Sequence, residues 1–202
     1  MCEPFSTAII DPPWPYEKTG EHKKLSGYVQ KEYETLSVES LKALPIGEVI
    51  SKYIFLWTTG PFVGEGLDVL KSWGFEYKTQ LVWYKTNGLG VGYWFRGDHE
   101  IVLVAKKHGA PSVRTNERSV FKSKRLGHSK KPEYIHRVAE KLFPGPYIEI
   151  FGRQSRDGWT VLGNEAPGDG RDIRQSLRLL LESPDAVKFN VQPSRQQELI
   201  IL

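Results

Sequence analysis

Four consecutive residues, Asp11-Pro12-Pro13-Trp14, bring a carboxylate, a rigid backbone and an indole ring together. Asp11 can accept one N–H, the Pro12 carbonyl can accept another, and an aromatic ring can stack on a planar ligand. This set suits a flat base that carries an amine. The same letters also fit a plain strand-ending turn, because Asp-Pro is a common turn dipeptide. The motif alone leaves both interpretations open.

The residues before Asp11 predict the element that positions it. Ser6-Thr-Ala-Ile-Ile10 is small, apolar or β-branched, as in a buried strand. Proline lacks an N–H and holds the preceding residue extended, so the strand should end at Asp11. Ligands of open α/β sheets bind outside the carboxyl ends of the strands. We therefore expect Asp11 at a ligand-binding edge.

Composition limits the class of protein. The chain has 202 residues, which predicts one domain with at most a small appendage. Cys2 is the only cysteine, so a disulfide framework or a CxxC zinc site within the chain is excluded, and no metal is expected. We see no signal peptide and no apolar run of the roughly 18 residues of a membrane span, which predicts a cytoplasmic protein. The net charge of +4 is compatible with nucleic acid.

Hydrophobic patterns predict alternating strands and helices. Ser37 should cap a short helix over residues 37–45. A stripe of Leu67, Leu70 and Trp73 predicts a second helix, and Pro132 predicts the first turn of a third. Apolar runs predict strands over residues 53–58, 77–84, 100–105, 147–151 and 159–162. We divide the chain into a domain, residues 1–165, and a C-terminal tail, residues 166–202, with a short amphipathic helix.

Basic residues cluster locally. Between Lys106 and Lys131, nine lysines and arginines stand against one acid, Glu117. This asymmetry favours a surface that faces a polyanion, although a solvated loop remains an alternative. Two further loops mix cations with aromatics: residues 15–36, and the glycine-rich residues 85–97. The candidate nucleic-acid contacts are Lys18, Lys23, Lys24, Tyr93, Trp94, Arg96, Lys122, Lys124 and Arg125.

With these motifs in order, the chain resembles the MT-A70 family of S-adenosylmethionine-dependent N(6)-adenine methyltransferases over about residues 5–165. The landmarks are Asp11-Pro-Pro-Trp14, Tyr33-Glu-Thr-Leu-Ser37, Phe55-Leu-Trp-Thr58, Gly92-Tyr-Trp-Phe95, His128-Ser-Lys-Lys-Pro132, Ile148-Glu-Ile-Phe-Gly-Arg153, Gly158-Trp159 and Leu162-Gly-Asn-Glu165. The resemblance implies an α/β, Rossmann-like methyltransferase fold with permuted strand order, in which the catalytic strand comes first and the cofactor-loop strand late.

The resemblance also implies roles for residues. Asp11, Pro12, Pro13 and Trp14 would form the catalytic motif, with Trp14 stacking on the base or shaping its pocket. The residues expected to contact S-adenosylmethionine are Asp11, His128, Lys131, Glu149, Arg153, Asn164 and Glu165. Two alternatives stay open: Glu149 and Arg153 could form a mutual or surface ion pair, and His128 could be a helix-capping or surface residue.

The resulting hypothesis is an enzyme that methylates the exocyclic amine of adenine in nucleic acid, with DNA favoured over RNA. The alternatives are an RNA adenine methyltransferase and a non-catalytic, nucleic-acid-binding subunit of such a complex. A small-molecule or protein substrate fits poorly with the basic segment. No membrane partner is expected, and a homodimer or a related partner subunit remains open.

Overall fold

The computed structural model describes residues 5–16, 35–90, 94–125 and 130–183. Within them, seven strands form one sheet. Their bounds are Phe5–Ile10 (β1), Ile50–Thr58 (β2), Phe75–Lys85 (β3), His99–Lys107 (β4), Val120–Ser123 (β5), Tyr147–Ile150 (β6) and Trp159–Leu162 (β7). The sheet order is β5-β3-β4-β2-β1-β6-β7.

Strand directions bring most of the strand ends to one edge. β1 pairs in parallel with β2 and with β6, β6 with β7, and β3 with β5. β4 runs antiparallel between β2 and β3. Six strands therefore end at the edge where β4 begins, which we call the carboxyl edge. Asp11 follows β1 at this edge, as the sequence predicts, and lies between the ends of β2 and β6.

Helices cover the two faces of the sheet. They are Val38–Lys42 (α1), Ile46–Val49 (α2), Val63–Ser72 (α3), Tyr134–Leu142 (α4) and Ile173–Glu182 (α5), with a 3-10 turn at Gly60–Phe62. Residues of α1, α2, α3 and α5 join one apolar cluster with Ile10, Ile54 and Leu56. Residues of α4 join the other cluster with Ile9, Phe55 and Trp57. The alternation of β1 and β2 residues between the clusters follows from the period of two in a strand.

Several local predictions are confirmed. The Ser37 hydroxyl caps α1 by accepting from the Ser40 N–H at 3.1 Å, and the five predicted strands are present with small shifts at their ends. The helix predicted from Leu67, Leu70 and Trp73 is present as α3; Leu70 and Trp73 are buried, whereas Leu67 is 37% exposed. The α4 helix begins at Tyr134, two residues after Pro132.

Two elements, strand β5 and helix α5, add to what the sequence predicts. Strand β5 lies inside the basic segment, where the sequence predicted only a loop; its apolar signal is limited to Val120 and Phe121. A helix does occur in the tail, and Ile173, Leu177 and Leu180 of α5 are buried in the same cluster as β1. The boundary at residue 165 stays a prediction. Among the described residues, no helix is long and apolar enough to cross a membrane.

Candidate active site

Asp11 follows β1, the strand from which the sheet extends towards β2 on one side and β6 on the other. A backbone hydrogen bond and an ion pair fix its position. Its N–H donates to the Ile150 carbonyl at 3.3 Å, which ties the end of β1 to the end of β6. Its Oδ2 accepts from Nζ of Lys131 at 3.0 Å, and 28% of the Asp11 side chain remains exposed. A buried strand thus presents a carboxylate at the edge where ligands of such sheets bind.

Four charges form a chain at this point, which we call the charge chain: Lys85–Glu100–Lys131–Asp11. Besides Asp11, Nζ of Lys131 reaches Oε2 of Glu100 at 3.2 Å. The other Glu100 oxygen, Oε1, lies 2.7 Å from Nζ of Lys85. Each lysine also lies over an indole ring, Lys131 over Trp57 and Lys85 over Trp83, both 5.2 Å from the centroid. The cations are therefore fixed by two kinds of contact.

The pKa shifts follow from burial and from this pairing. Burial raises the pKa of Asp11 above its ordinary range, although Lys131 opposes the shift. Burial alone would disfavour the charged form of Lys131, but Asp11 and Glu100 outweigh it and raise the Lys131 pKa. Burial would likewise raise the pKa of Glu100, yet Lys131 and Lys85 hold it below the ordinary value. Lys131 therefore keeps its positive charge. Of the two carboxylates in the charge chain, Asp11 has the raised pKa and is the one that protonates first as the pH falls.

The residues after Asp11 build the floor of the site. The Trp14 side chain is 5% exposed, and its ring stacks on Phe62 with centroids 5.5 Å apart. Its indole N–H donates to the Trp57 carbonyl at 3.0 Å. One contact on the ring face and one at its N–H edge therefore fix the position of the Trp14 ring, which has little surface left for a ligand. The stacking alternative for Trp14 is therefore not supported in this conformation, and the shaping role is favoured.

The Pro12 carbonyl already accepts a hydrogen bond within the turn that follows β1. It accepts from the Trp14 N–H at 2.9 Å, and the Pro13 carbonyl accepts from the Leu36 N–H at 3.0 Å. A carbonyl oxygen has two lone pairs, so Pro12 can accept a further N–H from a ligand.

The residues predicted to bind the cofactor lie around the ends of β6 and β7. Glu149 is on β6, Arg153 follows it, and Asn164 and Glu165 follow β7 with exposed side chains. Oε2 of Glu149 lies 3.0 Å from Nε2 of His136 on α4, and Nε of Arg153 lies 3.9 Å from Oε1 of Glu165. Arg153 thus forms a surface ion pair with Glu165, which the alternative interpretation allows, and Glu149 contacts His136.

Two glycines pack the turns after β6 and β7 against each other. A Cβ on Gly163 would lie 2.5 Å from the Gly152 carbonyl oxygen, and one on Gly152 would lie 2.3 Å from Cγ1 of Val161. Phe151, which directly precedes Gly152, adopts a positive φ of 67°. The buried Asp169 carboxylate accepts from the Gly163 N–H at 2.9 Å and from the Ser176 hydroxyl, which joins this turn to α5.

This donor set fits S-adenosylmethionine by its chemistry. The amino-acid end of the cofactor needs a cation and an anion, which Lys131 or Arg153 and Asp11 can supply. A ribose needs hydrogen-bond acceptors for its hydroxyls, and the Glu165 carboxylate and the Asn164 amide oxygen lie at the neighbouring strand end.

The candidate nucleic-acid contacts fall into two groups. Lys122, Lys124 and Arg125 lie on and just after β5 at the carboxyl edge, and Trp94 and Arg96 lie in the loop between β3 and β4 at the same edge. Lys18, Lys23, Lys24, Tyr93 and His128 lie outside the described residues, and their roles stay predictions.

The basic segment does not form one surface. Lys106 and Lys107 end β4, so they lie at the edge opposite Asp11. Nζ of Lys106 donates to the Ala110 carbonyl at 2.6 Å, and Nζ of Lys107 donates to the Gly47 carbonyl. The interpretation of residues 106–131 as a single polyanion-facing surface is wrong for these two lysines, because a nine-residue strand separates them from the site.

Sequence reasoning missed Lys85 and Glu100. A signal existed, because each is a charged residue at the end of a predicted apolar strand. Residues at strand ends lie at one of the two edges of a sheet. Glu100 lies at the carboxyl edge because β4 runs antiparallel to β2, and the sequence does not show this direction.

The MT-A70 family model matches residues 5–165, which is most of the chain. The chain belongs to the MT-A70 family. Among its relatives, "Type II methyltransferase M.MunI" of Mycoplasma sp is 32% identical over 189 residues, which cover 84% of this chain and 81% of the relative.

Longer eukaryotic members of the MT-A70 family are also similar. The Drosophila melanogaster "N(6)-adenosine-methyltransferase MT-A70-like protein" is 31% identical over 81% of this chain, and this match spans 27% of that relative. The human "N(6)-adenosine-methyltransferase catalytic subunit METTL3" is 28% identical over 81% of this chain and 28% of its own length. The chain therefore spans about a quarter of the length of these eukaryotic relatives.

Proposed function

We propose that this protein transfers a methyl group from S-adenosylmethionine to the N(6) amine of adenine in nucleic acid, with DNA as the favoured substrate. The observation that carries the proposal is the Asp11 carboxylate at the carboxyl edge, held by Lys131 at 3.0 Å beside the Pro12 carbonyl and the glycine turns of β6 and β7. Adenine methyltransferase names among the relatives support the reaction class.

The chain's own residues position the amine. Lys131 is bound to Oδ2 of Asp11, which leaves Oδ1 to accept one amine hydrogen, while the Pro12 carbonyl accepts the other. Accepting both hydrogens raises the electron density on the amine nitrogen and fixes the orientation of the amine. S-Adenosylmethionine, when bound, supplies an already activated methyl group. Alignment therefore contributes most of the rate, and the amine proton can leave after transfer without a strong base.

The cofactor-holding role rests on the ends of β6 and β7. Lys131 and Arg153 are the cations for the cofactor carboxylate, and Asp11 is the anion for its ammonium group. Asn164 and Glu165 are the acceptors for its ribose hydroxyls. Glu149, which lies beside Gly152, supports the same turn through its contact with His136 on α4.

DNA is favoured because one relative of comparable length is a type II methyltransferase, of which this chain covers 81%. The relatives whose names specify N(6)-adenosine favour RNA as the second candidate. A duplex substrate must expose its adenine by base flipping, whereas a single strand need not. The non-catalytic binding subunit is disfavoured by the intact Asp11-Pro-Pro-Trp14 motif and its charge chain. A cytoplasmic location and a homodimer or related partner subunit remain predictions.

The test is labelled methyl transfer onto matched duplex DNA, single-stranded DNA and RNA, followed by nucleoside analysis. We expect N(6)-methyladenine in the nucleoside digest, with the highest yield from DNA. Binding of S-adenosylmethionine without methylation of any substrate would favour the binding-subunit alternative. A higher yield from RNA would retain the reaction and correct the substrate.

A further inference from the structure

Two aromatic side chains stand in solvent at the carboxyl edge. Of the six tryptophans, five are at most 5% exposed, whereas Trp94 is 95% exposed and its neighbour Phe95 is 87% exposed. Both lie between β3 and β4 in residues 86–98, which we call the aromatic loop and which the structure describes at 86–90 and 94–98. Adjacent large aromatics at this exposure point to a binding surface rather than to scattered surface residues.

The described part of the aromatic loop has a defined stem. The Lys85 N–H donates to the Asp98 carbonyl at 2.7 Å, and the Gly90 N–H donates to the Gly97 carbonyl. Nε of Arg96 donates to the Gly90 carbonyl at 2.8 Å. A Cβ on Gly90 would lie 2.6 Å from the Gly97 oxygen, so only glycine permits this approach. The stem therefore supports the aromatic pair outside the core.

The position of the stem relates the pair to Asp11. The loop leaves β3 at Lys85 and returns one residue before Glu100, and both residues belong to the charge chain that reaches Asp11. Trp94 precedes Glu100 by six residues, so its backbone lies within roughly 20 Å of Glu100 even if that segment is fully extended. Roughly six base-pair steps of a nucleic acid cover this distance.

Basic residues flank the same loop. The Asn87 amide in the loop donates to the Arg125 carbonyl at 3.2 Å and accepts from the Arg125 N–H at 2.6 Å. Nζ of Lys122 lies 5.8 Å from the ring centroid of Tyr84, at the end of β3. Exposed aromatics beside cations are the combination that binds exposed bases and phosphates.

We propose that Trp94 and Phe95 form a stacking platform for bases that neighbour the target adenine, while Arg96 and the basic residues of β5 contact the adjacent phosphates. The inference rests on the proposed function and adds a second point of contact with the strand. Because every base has a flat face, the platform binds an unpaired strand without reading its sequence.

The test measures affinity for a single-stranded DNA oligonucleotide that contains one adenine. We expect Trp94→Ala and Phe95→Ala each to weaken binding by roughly five- to a hundredfold, the range of base–aromatic stacking. Trp94→Phe should retain most of the affinity. The salt dependence and the affinity for S-adenosylmethionine should stay unchanged, because no charge is removed. Tyr77→Ala is the matched control, since Tyr77 is an exposed aromatic, 42% accessible, near the opposite edge of the sheet.

A fluorescent base analogue beside the target adenine supplies a second readout. Its emission should fall on binding to the wild type and fall less with Trp94→Ala. If the wild type methylates the oligonucleotide but Trp94→Ala and Phe95→Ala bind it as tightly, the platform is refuted and the proposed function stands. A change in oligomeric state in these variants, with oligonucleotide affinity unchanged, would make the pair a protein interface and overturn the inference. If the wild type methylates no nucleic acid, the proposed function itself fails.

Discussion

At the scale of single residues, the charge chain explains how the partly buried Asp11 carboxylate can serve as an acceptor. A lone ionised Asp11 would be costly to bury, and Lys131 offsets part of that cost. Lys131 in turn is held by Glu100 and by the Trp57 ring. Three parts of the chain, near residues 11, 100 and 131, thus set the orientation of the Asp11 carboxylate.

Replacing Asp11 should abolish methyl transfer in a folded protein. Asp11→Ala removes an acceptor that orients the amine, and such losses cost on the order of a hundredfold or more in rate. Asp68→Ala on the exposed face of α3 is the control and should keep wild-type turnover. Single-turnover methyl transfer together with circular dichroism measures both properties, and normal turnover by folded Asp11→Ala would contradict the assignment.

The pH profile should report Asp11. Burial raises its pKa above the ordinary value of 3.8, and the ionised carboxylate accepts the amine hydrogen more strongly than the protonated acid does. Transfer should therefore decline on the acid side, at a higher pH than an ordinary aspartate would cause. The measurement is kcat against pH at saturating cofactor and substrate.

Two variants should move this acid limb in opposite directions. Glu100→Gln removes a negative charge that raises the Asp11 pKa, so the limb should shift to lower pH. Lys131→Met removes the cation that lowers the Asp11 pKa, so the limb should shift to higher pH. Shifts in the same direction, in variants shown to be folded, would mean that another group controls the limb.

At the scale of elements, the paired ends of β6 and β7 provide the candidate cofactor site. The register places Ile150 beside Leu162, so the turns that follow these residues are neighbours. The close contact of Gly163 with the Gly152 carbonyl keeps them together, and Asp169 fixes Gly163 from the side of α5.

Substitutions after β7 should affect the cofactor more than the nucleic acid. Asn164→Ala and Glu165→Ala each remove a hydrogen-bonding group assigned to the ribose, and we expect each to weaken S-adenosylmethionine binding by roughly tenfold, a typical loss for one such bond. Calorimetry with the cofactor and with its demethylated product is the test. Unchanged affinity in both variants would place the ribose elsewhere.

Two glycine-to-alanine substitutions distinguish the effect of close packing, at Gly163, from that of helix propensity, at Gly64. Gly163→Ala should lower the free energy of unfolding by roughly 1–3 kcal/mol, because its Cβ would meet backbone that cannot rotate away. Gly64→Ala in α3 meets nothing within 4 Å and should stabilise the protein by up to about 1 kcal/mol. Urea titration of both variants measures the contrast, and equal effects would refute the close approach at Gly163.

At the scale of the whole molecule, the fold separates the basic residues by sheet edge. Lys122, Lys124 and Arg125 lie at the carboxyl edge, on and just after β5, whereas Lys106 and Lys107 lie at the opposite edge, at the end of β4. The long positive segment in the sequence therefore gives a smaller surface at the carboxyl edge, adjacent to the aromatic loop, with β3, β4 and β2 between β5 and the strand of Asp11.

Removing the three cations near β5 should weaken nucleic-acid binding similarly for all sequences, because phosphate contacts position without reading bases. The triple replacement of Lys122, Lys124 and Arg125 by Ala should flatten the slope of log affinity against log salt. The expected change is about 0.9 per lost contact on duplex, or about 0.7 on a single strand.

A triple variant of Lys52, Lys71 and Lys78 is the control, because these residues carry the same charge near the opposite edge. It should leave the slope close to that of the wild type, and both triple variants should keep the cofactor affinity. Identical slopes in wild type and in the β5 variant would mean that these cations are only solvated.

Local sequence was sufficient for the strand that presents Asp11 and for the capped helix α1. Each depends on residues a few positions apart: β-branched residues followed by two prolines, or a serine before a short apolar stripe. The exposure of Trp94 was also predictable, because glycines surround it and no apolar period includes it. The motifs also identified the family, since their order along the chain is itself a sequence property.

Only the tertiary structure shows which residues distant in the sequence lie together at the site. Glu100 lies at the carboxyl edge because β4 runs antiparallel beside β2, and Lys131, shortly before α4, contacts both Glu100 and Asp11 there. No local pattern specifies a pairing over such separations. The inward position of Trp14 likewise depends on Phe62 and the Trp57 carbonyl, which only the fold brings near. Local propensities act over a few residues, whereas ion pairing and ring packing depend on distances that the tertiary structure sets.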